Sequence, residues 1–281
     1  MRHGVAMLLG IVLVLAGCSV LQPKPPSGFV DGASIHTIGV GGQDRVYRLH
    51  KPAGLTHPTS LVVVLHGGFG NAEQAERSYG WDQLADSNKF VAVYPDGVKR
   101  AWNVNGGGCC GRPAREHIDD IAFISAVIGD VARHIGIDAS RVYATGMSNG
   151  GIMAYTLACN TTLFAAVGPV AGTQLDPCRS PHPTSVMAVH GTADPNIPYG
   201  GGPGHGFAHI DGPAVPELNA LWRNIDRCQP PTEKTDGQVT TSTASCAQGL
   251  GVALVTVADG GHRWPDFATT KLWEFFDGHH R

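Results

Sequence analysis

The chain has 281 residues, 42% of them hydrophobic and only 15% charged, with 38 glycines, 19 prolines and seven cysteines. That length accommodates one large domain or two small ones, and the apolar fraction is enough for a real core, which excludes wholesale disorder. A formal net charge of −3 with no basic stripe argues against nucleic-acid binding, and abundant Gly and Pro with few charges argue against a helical bundle.

Met1-Arg2-His3 is a short positive start, Val5 to Ala16 is almost entirely apolar, and the segment closes on Leu15-Ala16-Gly17-Cys18. Such a run is too short to span a membrane and reads as a secretory signal. Its Leu-Ala-Gly-Cys ending resembles the bacterial lipobox, which implies cleavage after Gly17 and lipidation of Cys18. The alternative is an ordinary signal peptide with an incidental cysteine. Residues 1–17 are therefore expected to be a lipoprotein signal peptide. Residues 18–34 are the lipidated cysteine and a flexible tether, and 35–281 form one catalytic domain. The expected location is extracytoplasmic, anchored to the cell membrane or partly released. Export also places Cys109, Cys110, Cys159, Cys178, Cys228 and Cys246 in an oxidising compartment, so up to three disulfides are expected. Cys228 and Cys246 flank a Thr-rich segment and are the favoured pair; the pairing of the other four stays open. No metal site is expected, because Cys109-Cys110 lacks CxxC spacing and the histidines are scattered.

Ile35–Val40 and Val46–His50 flank Gly41-Gly42 and predict an opening hairpin. Leu61–Leu65, Phe90–Tyr94, Arg141–Thr145, Phe164–Val170, Ser185–Val189 and Val252–Val257 are short apolar runs without alternation. They fit strands buried on both faces of a parallel sheet. Asp120–Ile135 carries apolar residues at helical spacing, with Asp119 or Asp120 as N-cap. Gly151–Cys159, Ala214–Arg227 and Ala268–Phe276 are further helical segments. Strands alternating with helices predict an α/β fold, a doubly wound, mostly parallel sheet with helices on both faces. Ligands then bind at the carboxyl ends of the strands.

The loops at those ends carry the chemistry. Gly146-Met147-Ser148-Asn149-Gly150 is a Gly-x-Ser-x-Gly placed directly after a strand and before a helix, the context a nucleophile elbow requires. A serine nucleophile needs a base, and the base a partner. Asp194 follows the Ser185–Val189 strand and is favoured as the acid over Asp176, which follows the preceding strand. His262 follows the last strand; His279 and His280 lie at the C-terminus and fit badly. His66-Gly67-Gly68-Phe69-Gly70 follows the Leu61–Leu65 strand and suits an oxyanion hole. Phe69 is the favoured amide donor there, with Gly68 next, and Asn149 supplies the second amide.

Taken in order, LHGGFGNAE, FVAVYPDG, AWN, CCG, DDIAFI, GMSNGGIMAY, HGTADPNIPY and GGHRWP resemble the polyhydroxybutyrate-depolymerase-like esterases, a group that also holds feruloyl and acetylxylan esterases. The likeness runs from about residue 35 to 276 and implies an α/β-hydrolase fold. It also implies Ser148, Asp194 and His262 as the triad, matching the reading from the residues. The resulting expectation is a secreted, membrane-anchored serine esterase acting through an acyl-enzyme on small or polymeric esters, without cofactor or metal. A feruloyl- or acetylxylan-type esterase is the alternative. A peptidase of the same fold and a non-catalytic surface lipoprotein are the other rivals. Trp102, Trp264, Tyr79 and Trp81 are candidates for lining the substrate site or for plain packing. The glycine-rich 200–209 segment is either a flap or a surface loop.

Overall fold

A computed structural model describes Met1 and residues 29–55, 58–107 and 109–281. Cys18, with the predicted signal and the tether up to residue 28, lies outside the described residues. The predicted opening hairpin is β1 (Gly32–Val40) with β2 (Gln43–Lys51). Its first strand starts before residue 35, and Phe29 already stacks on His36 with ring centroids 4.4 Å apart. The folded region thus begins earlier than the sequence suggests.

The chain continues through β3 (Thr59–Leu65), α1 (Ala72–Ser78), α2 (Trp81–Asn88), β4 (Val91–Pro95), α3 (Gly111–Arg115) and α4 (Asp120–His134). Next come β5 (Ile137–Met147), α5 (Asn149–Asn160), β6 (Ala166–Val170) and β7 (Ser185–Gly191). The last part holds β8 (Gly202–Pro203), β9 (Asp211–Gly212), α6 (Val215–Ile225), β10 (Thr232–Asp236), β11 (Val239–Ser245), β12 (Gly251–Val257) and α7 (Ala268–Asp277). Ten strands form one sheet in the order β1-β2-β4-β3-β5-β6-β7-β12-β11-β10. The stretch from β4 to β12 is parallel, and antiparallel hairpins close both ends.

Every residue of β3, β4, β6 and β7 is buried, which is why these strands read as unbroken apolar runs. One core joins α4, α5 and α6 to one face of the sheet; the other joins α1, α2 and α7 to the opposite face. Asp119 caps α4 by accepting a hydrogen bond from the Ala122 amide at 2.8 Å. The cysteines pair as Cys109–Cys110, Cys159–Cys178 and Cys228–Cys246, so the favoured pair forms and the four open cysteines pair locally. No helix among the described residues is long and apolar enough to cross a membrane. The loops after β3, β5, β7 and β12 emerge at the carboxyl edge of the parallel strands and build the site.

Candidate active site

Ser148 stands between β5 and α5 at φ 54° and ψ −119°, a left-handed region that a non-glycine residue occupies only under strain. Close packing fixes this turn. A Cβ on Gly146 would lie 2.6 Å from the Gly150 carbonyl carbon, and one on Gly150 would lie 2.3 Å from the Leu65 carbonyl oxygen. Only glycine lets β3, β5 and α5 meet there. The Ser148 amide donates to the Val170 carbonyl at 2.9 Å, tying the turn to β6.

His262 and Asp194 meet as a pair. The His262 Nδ1 lies 2.8 Å from the Asp194 Oδ2. The Asp194 Oδ1 accepts from the Asn196 amide at 2.8 Å and the Ile197 amide at 3.0 Å. The buried His190 donates its Nε2 proton to the Ile197 carbonyl at 2.8 Å and lies 3.4 Å from the Asp194 Oδ2. Burial pushes the Asp194 carboxyl up. The hydrogen bonds from His262 and the two amides outweigh burial and hold it below the usual carboxylate range. An ionised Asp194 carboxylate can only accept, so the hydrogen between the two groups sits on the His262 Nδ1. Asp176 lies elsewhere: it accepts from the Asn160 side chain at 2.9 Å and the Cys178 amide at 2.7 Å, so it does not reach His262.

The first loop corrects one expectation. Phe69 sits at φ 64°, and its amide donates to the Arg100 carbonyl at 2.8 Å. That N–H is therefore engaged, and Phe69 cannot serve as the oxyanion donor. No hydrogen bond from the Gly68 amide occurs among the described residues. A Cβ on Gly68 would lie 3.7 Å from the Asn149 Cβ, so the two loops touch there. Asn149 opens α5, where its own N–H has no intrahelical acceptor. Its side chain is clamped to Trp102, accepting from that amide at 2.7 Å and donating to that carbonyl at 3.3 Å. His66 braces the first loop: its Nδ1–H donates to the Gly67 carbonyl at 2.8 Å, and its Nε2 accepts from the Gly97 amide at 2.9 Å. Burial pulls the His66 imidazole below its ordinary value, in keeping with a neutral ring.

Ser148, Asn149, Gly68 and His262 line one cavity of about 660 Å³. Of the aromatic candidates, only Tyr79 lines it. Trp264 stacks behind Tyr79 at 4.3 Å, with its indole N–H donating to the Thr269 hydroxyl at 3.0 Å. Trp102 and Trp81 are fully buried, and the Trp102 indole donates to the His66 carbonyl at 2.9 Å. Trp102 and Trp264 therefore support the walls without facing the substrate space. The cavity also holds residues that sequence reasoning missed: Lys99, Arg100, Arg115, Ile152, Ile197 and Phe207. Lys99-Arg100 follows the Pro95-Asp96-Gly97 turn, and Phe207 is the lone aromatic of a glycine-rich loop; those were the available signals. Cys109 and Cys110 line the wall too.

The glycine-rich segment proves to be a wall of the cavity. β8 and β9 pair antiparallel, and residues 206–210 face the space. Phe207 meets Phe69 edge to face across the mouth at 5.6 Å, and both rings are exposed. The segment rests on the loop after β7: the His205 amide donates to the Pro195 carbonyl at 2.8 Å. Gly206 lies so close to Asn196 that a Cβ would approach its Oδ1 to 2.7 Å. Among the described residues, no group of three or more His, Cys, Asp or Glu could hold a metal ion.

This strand order, with a strained serine turn after β5, defines an α/β-hydrolase. The family model described as "Esterase PHB depolymerase" matches residues 46–196, more than half of the chain. A presumed esterase, NocK of Nocardia uniformis subsp. tsuyamanensis, is 32% identical over 257 residues, covering 81% of this chain and 73% of that protein. Feruloyl esterase C of Emericella nidulans is 27% identical and covers 84% of each chain. Among solved structures, an acetyl xylan esterase from Aspergillus awamori matches the fold with a TM-score of 0.66 at 16% identity, covering 87% of this chain and 99% of its own. The chain belongs to the Esterase PHB depolymerase family and is a carboxylic ester hydrolase.

Proposed function

We propose that the chain is a serine esterase that works through an acyl-enzyme. The observation that carries this reading is Ser148 on a strained turn, sharing a cavity with a histidine whose Nδ1 is bound to a buried carboxylate. His262 takes the Ser148 proton through Nε2 as the hydroxyl oxygen bonds to the ester carbonyl carbon. The Gly68 and Asn149 amides stabilise the oxyanion. The C–O bond to the leaving alcohol breaks, and His262 returns its proton to that alcohol. Water, deprotonated by His262, then attacks the acyl-serine, releasing the acid and restoring Ser148. Asp194 holds the imidazole in the productive tautomer and stabilises its cationic form.

The Leu15-Ala16-Gly17-Cys18 sequence supports export and anchoring through a lipidated Cys18, with the hydrolase domain outside the cytoplasm. A hydroxyalkanoate-type ester fits the family; feruloyl or acetylxylan-type esters are the second reading, favoured by the names of the relatives. Ser148→Ala is expected to abolish turnover of p-nitrophenyl butyrate while the circular dichroism spectrum stays native. The same variant loses fluorophosphonate labelling. Unlabelled wild-type protein would favour a non-catalytic binding role. Rates on feruloyl, acetyl and hydroxybutyryl esters rank the substrate classes.

A further inference from the structure

The cavity beside Ser148 is positively charged in a protein that is not. Among the described residues Lys99, Arg100 and Arg115 line it and no Asp or Glu does, although the chain as a whole carries a net charge of −3. Asp194 is buried behind His262 and keeps its charge committed to that pair. None of the three cations forms an ion pair among the described residues. Arg112, on the same short helix as Arg115, is neutralised by Glu116.

Backbone geometry adds a second, independent observation. Lys99 and Arg100 are consecutive non-glycine residues at positive φ, 49° and 66°. Two such residues in a row are costly and persist only where the surroundings impose them. Here the turn is held by the Arg100 carbonyl, which accepts from the Phe69 amide, and by the Arg100 Nε, which donates to the Gly70 carbonyl at 3.3 Å. The turn that carries both cations is thus fastened to the loop that carries Gly68. The rest of the lining includes apolar side chains, Ile152, Ile197 and Phe207 among them.

We infer that this esterase selects esters carrying a free carboxylate separated from the scissile bond by an apolar segment, with Lys99, Arg100 and Arg115 as the carboxylate-recognising residues. The inference rests on the ester hydrolysis at Ser148 proposed above. A half-ester of a dicarboxylic acid presents that group on the acyl side, and the free-acid end of a short oligoester presents it on the alcohol side. Guanidinium groups bind carboxylates through paired N–H donors, and because Lys99, Arg100 and Arg115 are all exposed, such contacts are screened by salt.

The test compares matched substrates. On the acyl side, mono-p-nitrophenyl glutarate is set against p-nitrophenyl pentanoate. On the alcohol side, 3-(butanoyloxy)butanoate is set against sec-butyl butanoate. Each pair yields a ratio of kcat/KM, anionic over neutral, for wild type and for Lys99→Gln/Arg115→Gln. Arg100 is left in place because it fastens the first loop. The ratio for one pair is expected to fall at least about fivefold in the double variant, through KM. In wild type it falls similarly between about 20 mM and about 500 mM salt. The pair that responds identifies the side on which the carboxylate lies. Ratios unmoved by both variant and salt overturn the charge recognition in a protein that is active and labelled at Ser148. Absence of labelling at Ser148 overturns the serine mechanism together with this inference.

Discussion

Asp194 is 4% exposed, yet four polar groups surround its carboxylate: two amides on one oxygen and two imidazoles near the other. That arrangement supports the proposed role of Asp194 as the acid over Asp176. Asp194→Asn keeps the shape but puts a donor where His262 needs an acceptor, so the imidazole settles in the wrong tautomer. A loss of about 10⁴ in kcat is expected, with KM little changed. Asp176→Asn instead weakens the brace beside the Cys159–Cys178 bridge. It is expected to lower the melting temperature by a few degrees, with kcat held to within about threefold. Steady-state kinetics of the two variants separate the roles; equal losses would contradict the assignment.

At the level of elements, the junction of β5 and α5 places the serine, and its glycines are not equivalent. Gly150→Ala forces a methyl group onto the Leu65 and His66 carbonyls, at 2.3 and 2.6 Å. It is expected to cost about 3 kcal/mol in urea denaturation and to reduce activity through displacement of Ser148. Gly261→Ala meets open space and is expected to be neutral in the same assay, although Gly261 sits beside His262 in the sequence. Glycine content thus marks the active loops without telling which glycines hold them. The central strands were legible because burial on both faces removes alternation, and α4 because its apolar stripe and Asp119 cap agree. The helices α1 and α2 escaped notice because they bury chiefly alanines and one tryptophan amid polar residues. The hairpin β10–β11 escaped because β10 is wholly exposed and β11 is built of threonine and serine, leaving no apolar period. The Phe69 amide was assigned to the wrong role because its acceptor, the Arg100 carbonyl, lies thirty-one residues further along. Loop order suggests the proposed serine, acid and base; the direction of an N–H follows only from the fold.

For the whole molecule, one source of pH dependence lies away from the active-site cavity. Asp226 ends α6 beside the Cys228–Cys246 bridge and is 1% exposed. Its Oδ1 accepts from the Thr184 amide at 3.2 Å, and its Oδ2 has no partner among the described residues. Burial raises its pKa to about 7, against the lowering effect of that one hydrogen bond. The folded state therefore binds this proton more tightly than the unfolded chain, whose carboxyl titrates near 3.9. The favourable contribution is complete below that value and is lost as pH rises through about 7. Asp226→Asn removes the charge that must be buried at high pH. A gain of roughly 2–4 kcal/mol is expected at pH 8, shrinking to little at pH 4. Urea midpoints of variant and wild type measured at both pH values check this; a constant offset would contradict it.

The 200–210 segment rests on Pro195 and Asn196, and Asn196 also gives its amide to the Asp194 carboxylate. Divergence of substrate range is therefore channelled. Insertions or replacements in that segment disturb Pro195 and Asn196 and register in the acid–base pair, so acquiring a new ester preference there entails repairing the chemistry as well. The opposite wall around Lys99 and Arg115 touches neither residue of that pair through any hydrogen bond among the described residues. Descendants of this chain that change diet without losing rate should carry their substitutions at Lys99 and Arg115 and keep Arg100, which fastens the Gly68 loop.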